Sequence, residues 1–207
     1  LFYVVNKSLS SHLPDSDISK INRGDSLLVI DQHFKAVFNK ANVLWYKTQG
    51  YFDPTVGAWV NAYGFGPEKP LTEISPAQRD SIMEVTGWAR IQLIDNRIVK
   101  DNPAIYIDFN AIAKGYTVDL VAHYLSSLGS KNHLVEIGGE LVAKGINPTS
   151  GVQWKVGIDH PQQTEERALL AVLSIDNQAL ATSGNYRKFR VDEKTGQKYV
   201  HSINPLT

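Results

Sequence analysis

Across residues 31–50, "DQHFKAVFNKANVLWYKTQG", apolar side chains recur every three or four positions. Phe34, Val37, Phe38, Ala41, Leu44 and Trp45 make one stripe, and Gly50 ends it. That spacing predicts an amphipathic helix. A shorter helix is expected at 75–87, "SPAQRDSIMEVTG", with Ser75 as its cap and Pro76 in its first turn. "LFYVVNKSLSSH" (1–12) reads as the end of a helix, and 13–26, "LPDSDISKINRGDS", as a polar loop with capping-type residues. Residues 51–70 are aromatic and glycine-rich, too irregular for one regular element.

Short strand patterns follow at 89–94, 97–100 and 104–109, with Asp95-Asn96 as a hairpin-turn candidate. At "DFNAIAKGYTVD" (108–119) the pattern switches to helical spacing, which continues to Gly129. Such a strand-to-helix corner offers free N–H groups and a positive dipole end, a favourable place for an anion. Beyond it "HLVEI", "ELVAKGI", "QWKVGID", "LLAVLSI", "QALATS", "YRKFRV" and "YVHSI" read mostly as β. Gly138-Gly139, Gly184-Asn185 and the surface hairpin "DEKTG" (192–196) punctuate them. The expected fold is α+β, a mixed, largely antiparallel sheet packed with helices in a single domain, 1–207.

Composition narrows the function classes. The chain has 207 residues, 43% hydrophobic and 20% charged, enough for a sizeable core. Lys+Arg and Asp+Glu are 21 each, so nothing points to nucleic acid or another polyanion. No apolar run reaches the roughly 18–20 residues a membrane span needs. With no cysteine, disulfides, thiolate metal sites and cysteine nucleophiles are excluded. The chain opens at Leu1 in mid-pattern and closes on "HSINPLT", so it reads as a piece truncated at both ends, and a missing leader or anchor carries no weight.

Familiar motifs are scarce. "GFG" (64–66) lacks the third glycine of a dinucleotide loop, and there is no P-loop or GxSxG elbow. The six histidines include no pair at i,i+4. "NKS" (6–8) matches a glycosylation sequon that chance also explains. Asp53 in "YFDPTVG" suits either a turn that bonds its own backbone or a site. "EIGGEL" (136–141) suits either close backbone approach or a bulge. Ser183, Tyr186, Arg187 and His201 suit either polar-faced strands or a site.

Taken in order, "SSHLPDSDISKIN", "FDPTVGAWVNAYGFGP", "DFNAIAKGYTVD", "LVEIGGEL", "ATSGNYRKF" and "HSINPLT" resemble the ApbE family, the FAD:protein FMN transferases. The resemblance implies an enzyme that binds FAD, uses Mg²⁺ to break its pyrophosphate, moves FMN to a threonine hydroxyl of a target flavoprotein and releases AMP. Some members instead hydrolyse FAD to FMN and AMP, and a non-catalytic FAD-binding role is a third alternative. It further implies that Tyr51, Phe52 and Asp53 line the flavin pocket and that His12, Asp108, Lys114 and Ile203 contact FAD. Ala111 would hold the metal through its backbone oxygen, and His201 would act in transfer. An exported, periplasmic or lipid-anchored location follows from the same resemblance.

Imidazole is the usual proton acceptor for a hydroxyl nucleophile. Mg²⁺ takes oxygen ligands and keeps waters, so a carbonyl and one or two carboxylates suffice. Two departures stand out. Asn204 occupies a position where many members carry Asp, and the family's downstream "A-D-x-x-x-T", source of further metal ligands, lies past Thr207. These 207 residues are therefore expected to bind Mg²⁺ poorly. Titration calorimetry with MgCl₂ and a turnover assay with and without the metal check this; clear Mg²⁺-dependent turnover by this chain alone would refute it.

Overall fold

The computed structural model describes residues 1–66, 69, 71, 73–161, 168–184, 189–191 and 196–206. In chain order the helices are α1 (Phe2–Leu9), α2 (Asp17–Asn22), α3 (Gln32–Lys47), α4 (Gly57–Ala62), α5 (Pro76–Glu84) and α6 (Asn110–Ser127). The strands are β1 (Ile91–Ile94), β2 (Arg97–Lys100), β3 (His133–Ile137), β4 (Glu140–Lys144), β5 (Ile146–Asn147), β6 (Val152–Asp159), β7 (Leu169–Ile175), β8 (Ala179–Leu180), β9 (Phe189–Val191) and β10 (Lys198–Val200). β1 pairs with β2, β3 with β4, β4 with β8, β5 with β6 and β6 with β7, all antiparallel. The α+β expectation holds. The chain divides into two compact units, one of Phe2–Ala113 with Arg190–Thr207, the other of Lys114–Phe189 with Leu1.

The first unit is built on α3. Asp31 caps it by accepting the Phe34 N–H at 2.8 Å, and the expected stripe is buried at Phe34, Val37, Phe38 and Ala41. An aromatic cluster continues from it: Phe34 meets Phe109 edge-on at 5.4 Å, and Trp88 meets Phe38 at 4.8 Å and Phe109 at 6.0 Å. The β1–β2 hairpin turns at Asp95 and Asn96, φ 47° and 57°, the two left-handed residues of a type I′ turn. α5 has the expected Ser75 cap, reinforced by Gln78 as a capping box, yet it buries none of its residues.

Several expectations need correction. The polar segment 13–26 contains α2, because Ser16 caps it by accepting the Ser19 N–H at 3.2 Å and Ile18 and Ile21 are buried. Its apolar positions are too few to outweigh the polar residues around them in a pattern search. The irregular-looking 51–70 contains α4, whose single turn and a half is too short to show a period. The sequon's Ser8 is fully buried in α1 and donates to Asp31 at 2.8 Å. Of 178–183, only Ala179–Leu180 is strand. The "DEKTG" hairpin falls mostly outside the described residues, as do Asn185, Tyr186 and Arg187.

The segment 104–109 alternates like a strand, with Ile105, Ile107 and Phe109 each no more than 1% exposed, but it joins no sheet. Its backbone groups are met by side chains and turns instead. Asn22 brackets Ile107, donating to its carbonyl at 2.9 Å and accepting its N–H at 2.8 Å. Lys100 donates to the carbonyls of Ile21 and Ile105 at 3.0 and 2.9 Å. Burial lowers the Lys100 ammonium below its ordinary value. The Asp108 N–H donates to Pro54 O at 2.8 Å.

In the second unit the β3–β4–β8 sheet is covered on both faces, as strand alternation requires. Val135, Ile137 and Val142 pack on Val118 and Ala122 of α6. On the other face Leu141 and Ala143 meet Ile175, Trp154 and Val156 of β6–β7. Among the described residues no helix is long and apolar enough to cross a membrane.

Two glycines make a matched test. A Cβ on Gly57 would collide with the Tyr106 ring, whereas one on Gly115, inside α6, would meet nothing within 4 Å. Gly57→Ala should cost about 1–3 kcal/mol through overpacking, and Gly115→Ala should gain about 0.5–1 kcal/mol of helix preference. Urea denaturation of both variants reads the opposite signs.

Candidate functional site

The aromatic turn after α3 is held from inside. Gln49 and Gly50 take positive φ (54° and 86°), and Thr48 Oγ1 accepts the Phe52 N–H at 3.0 Å. Asp53 is 9% exposed. Its Oδ1 accepts from Thr55 N–H and Oγ1–H at 2.8 and 2.5 Å, and its Oδ2 from Trp88 N–H at 3.0 Å. Thr55 Oγ1 in turn accepts the Gly87 N–H at 2.6 Å. Both Asp53 oxygens are therefore engaged within the fold, as its turn reading expects. Tyr51, 65% exposed, and half-buried Phe52 remain available.

At the corner, Asp108 Oδ1 accepts the Asn110 N–H at 2.6 Å and Oδ2 accepts from Asn110 Nδ2 at 3.0 Å. Asn110 Nδ2 also reaches Ser11 Oγ at 3.1 Å, which places the loop after α1, with exposed His12, beside the corner. The N–H groups of Ile112 and Ala113 go to Phe109 O at 2.9 and 2.8 Å. The expectation of a corner with free amides is thus corrected: three of the amides there are consumed by Asp108 and Phe109. Ala111 is exposed in the first turn of α6. Burial raises the Asp108 carboxyl above its ordinary value, and the Asn110 hydrogen bonds and the charge of His12 work against it.

Lys114 stands 2.7 Å from Glu140 Oε2, an ion pair outside hydrogen-bond geometry, and 3.5 Å from Gly138 O. Gly138 and Gly139, φ 59° and 97°, link the paired residues Ile137 and Glu140 as a two-residue hairpin turn, which replaces the bulge alternative. Half-exposed as it is, the pair contributes about 0–1 kcal/mol. Its consequence for a ligand is larger, because the Lys114 charge is already matched.

Ile203 lies in a cleft of about 520 Å³. Its lining brings together Trp59 and Tyr63 of the α4 region, Ile74, Pro76 and Arg79 at and before α5, and Ile203 and Asn204. Trp59 stacks near Tyr63 at 6.1 Å and Tyr63 near Tyr199 at 5.6 Å, so these rings make an aromatic column. Asn204 Oδ1 accepts the Leu206 N–H at 3.0 Å, a bond that an aspartate there would also make. Two residues before Ile203, exposed His201 meets Phe65 edge-on at 6.2 Å. The volume falls within the about 300–1,000 Å³ common for small-molecule sites. Tyr51, Phe52 and Asp53 are not among the cleft's lining residues. Trp59, Tyr63, Arg79 and Glu140 escaped the sequence reading; recognising α4 as a helix would have paired Trp59 with Tyr63 at i,i+4.

Oxygen donors of the kind Mg²⁺ takes are present at the corner in Asp108 and the Ala111 carbonyl. Among the described residues, no group of three acidic or histidine side chains forms a metal site.

The Asp108 carboxyl gives a pH signature. In strong acid it is protonated in folded and unfolded chains alike. As pH rises the unfolded chain ionises first, so the buried carboxyl makes stability fall until it too has ionised. Asp108→Asn should remove that decline, so its stability relative to the parent should rise as pH climbs upward from the ordinary carboxylate range. Denaturation midpoints from that range upward test it, and a pH-independent difference would overturn the assignment.

Comparison with known proteins places this arrangement. The ApbE family profile matches residues 1–207. The FAD:protein FMN transferase of Haemophilus influenzae is 38% identical over 98% of this chain and 60% of its own length. That of Vibrio cholerae is 36% identical, over 98% of this chain and 60% of its own length. The structure of the flavin transferase ApbE from Vibrio cholerae superposes with a TM-score of 0.83 at 35% identity, over 97% of this chain and 63% of that one. The chain spans about 60% of the length of these curated relatives. With the whole of its length matched in sequence and nearly all of it in fold, the chain belongs to the ApbE family.

Proposed function

We propose that the protein acts as an FAD:protein FMN transferase, moving FMN from FAD to a threonine hydroxyl of a target flavoprotein. The observation that carries this reading is the aromatic cleft lined by Ile203, two residues along the chain from exposed His201. The flavin ring enters the cleft between Trp59, Tyr63 and Ile203. Tyr51 and Phe52 offer further apolar surface to FAD. His201 takes the proton from the threonine hydroxyl as its oxygen attacks the FMN phosphorus. The P–O bond to the bridging oxygen breaks, and AMP leaves with that oxygen. The Ala111 carbonyl and Asp108 are the donors that would hold Mg²⁺, whose charge would offset that of the pyrophosphate. Asp108 and His12 together shape the charge near the corner. Lys114 faces FAD with its charge already paired to Glu140. An exported, periplasmic or lipid-anchored location belongs to the same proposal, because family resemblance alone supports it.

Incubation of the full-length protein with FAD, Mg²⁺ and a threonine-bearing acceptor peptide tests the reading by mass spectrometry. A peptide gain of one FMN together with free AMP is expected. Free FMN and AMP with unmodified peptide would make the protein an FAD pyrophosphatase, and intact FAD would make it a binding protein. His201→Ala should lose transfer by about 10²-fold or more while FAD affinity stays within about twofold, since its ring is outside the cleft lining. Undiminished transfer by that variant would remove His201 from the mechanism.

A further inference from the structure

Arg79 has no role in the reading so far. It sits in α5, which buries none of its residues, and it lines the same cleft as Trp59, Tyr63, Ile203 and Asn204. Among the described residues its guanidinium forms no hydrogen bond or ion pair. Among the described residues, those lining the cleft include no carboxylate. Asn204 has its oxygen committed to Leu206 N–H, which leaves its amide NH₂ as a second donor. The described residues of the cleft thus present aromatic side chains and only cationic or neutral side-chain donors. Such a site suits a flat heterocycle with adjacent acceptor atoms along one edge, because a guanidinium is a rigid fork of parallel donors.

We infer that Arg79, together with the Asn204 amide, is a specificity-determining group that reads the acceptor edge of the flavin ring, N1 and the C2 carbonyl oxygen. The inference rests on the proposal that the cleft takes a flavin. It also gives a physical meaning to asparagine at 204. An aspartate would keep the bond to Leu206 but place a carboxylate beside Arg79, pairing the guanidinium and repelling an acceptor edge. Asparagine leaves the guanidinium free for a ligand.

The test compares riboflavin, which has the ring without phosphate, with FAD and with ADP, by titration calorimetry and flavin absorbance. Arg79→Ala and Asn204→Asp should each weaken riboflavin and FAD in parallel, by about 10-fold or somewhat more, and leave ADP unchanged. Arg79→Lys, which keeps the charge and loses the fork, should fall between. The bound-flavin absorption shift of the parent should shrink in Arg79→Ala, a change that loss of a merely structural residue would not produce. Since α5 buries nothing, these variants should retain the parent's melting temperature. Unchanged riboflavin affinity in Arg79→Ala overturns the assignment. So does a loss confined to FAD and ADP, which puts the guanidinium on phosphate, or a loss seen only in modification of an acceptor peptide. Parent protein that binds neither riboflavin nor FAD overturns the flavin cleft itself, an outcome separate from failure of Arg79 alone.

Discussion

The Asn22 side chain, with one hydrogen bond to each backbone group of Ile107, is the constraint from which the first unit follows. A buried extended segment with no neighbouring strand would leave amides and carbonyls unpaired, at about 1–3 kcal/mol for each. Asn22 imitates the missing strand, Lys100 covers the Ile105 carbonyl, and Pro54 covers the Asp108 amide. Because those partners come from α2, β2 and the aromatic turn, one short segment fixes three others at once. Phe109 then locks it into the aromatic core, and Asp108 is delivered to the start of α6 with little freedom to move.

The polar groups of the candidate site sort by whether the fold has already used them. Asp53 and Lys114 look like ligand contacts in a sequence, yet one is saturated by Thr55 and Trp88 and the other is matched by Glu140. Asp53 thereby ties the aromatic turn to Thr55 and Trp88, and Lys114 is paired with Glu140. Asp108 and Arg79 differ. The first is a carboxyl whose burial disfavours its own charge, and the second is a cation that no carboxylate answers among the described residues. Groups left in electrostatic tension are the ones a ligand can relieve.

Much of this was legible in the sequence where a pattern repeats often enough to be seen. α3, with four turns and an aspartate before it, and the Asp95-Asn96 hairpin both declare themselves. α2 and α4 do not, since six residues give less than two periods. The strand-like alternation of 104–109 was real, but alternation reports burial and not pairing, and no pattern can say that an asparagine 85 positions away supplies the partner. The corner was found for its chemistry and misjudged in its detail, because whether a helix-start amide is free depends on where the Asp108 side chain folds back. Ile203 is singled out by resemblance alone. Arg79 was invisible, since it lies in a helix whose pattern gives no reason to single out one residue.

α5 is a capped helix attached to the molecule without burying any of its side chains. Its capping box keeps it helical by local means, so its composition is almost unlinked from folding energy. Selection can therefore revise the chemistry this helix presents without first solving a packing problem. Most pockets are conservative because the residues that recognise a ligand also hold up the core. Here one part of the cleft lining has been relieved of that second duty, and a lineage could change what it accepts there by point substitution while the scaffold beneath stays as it is.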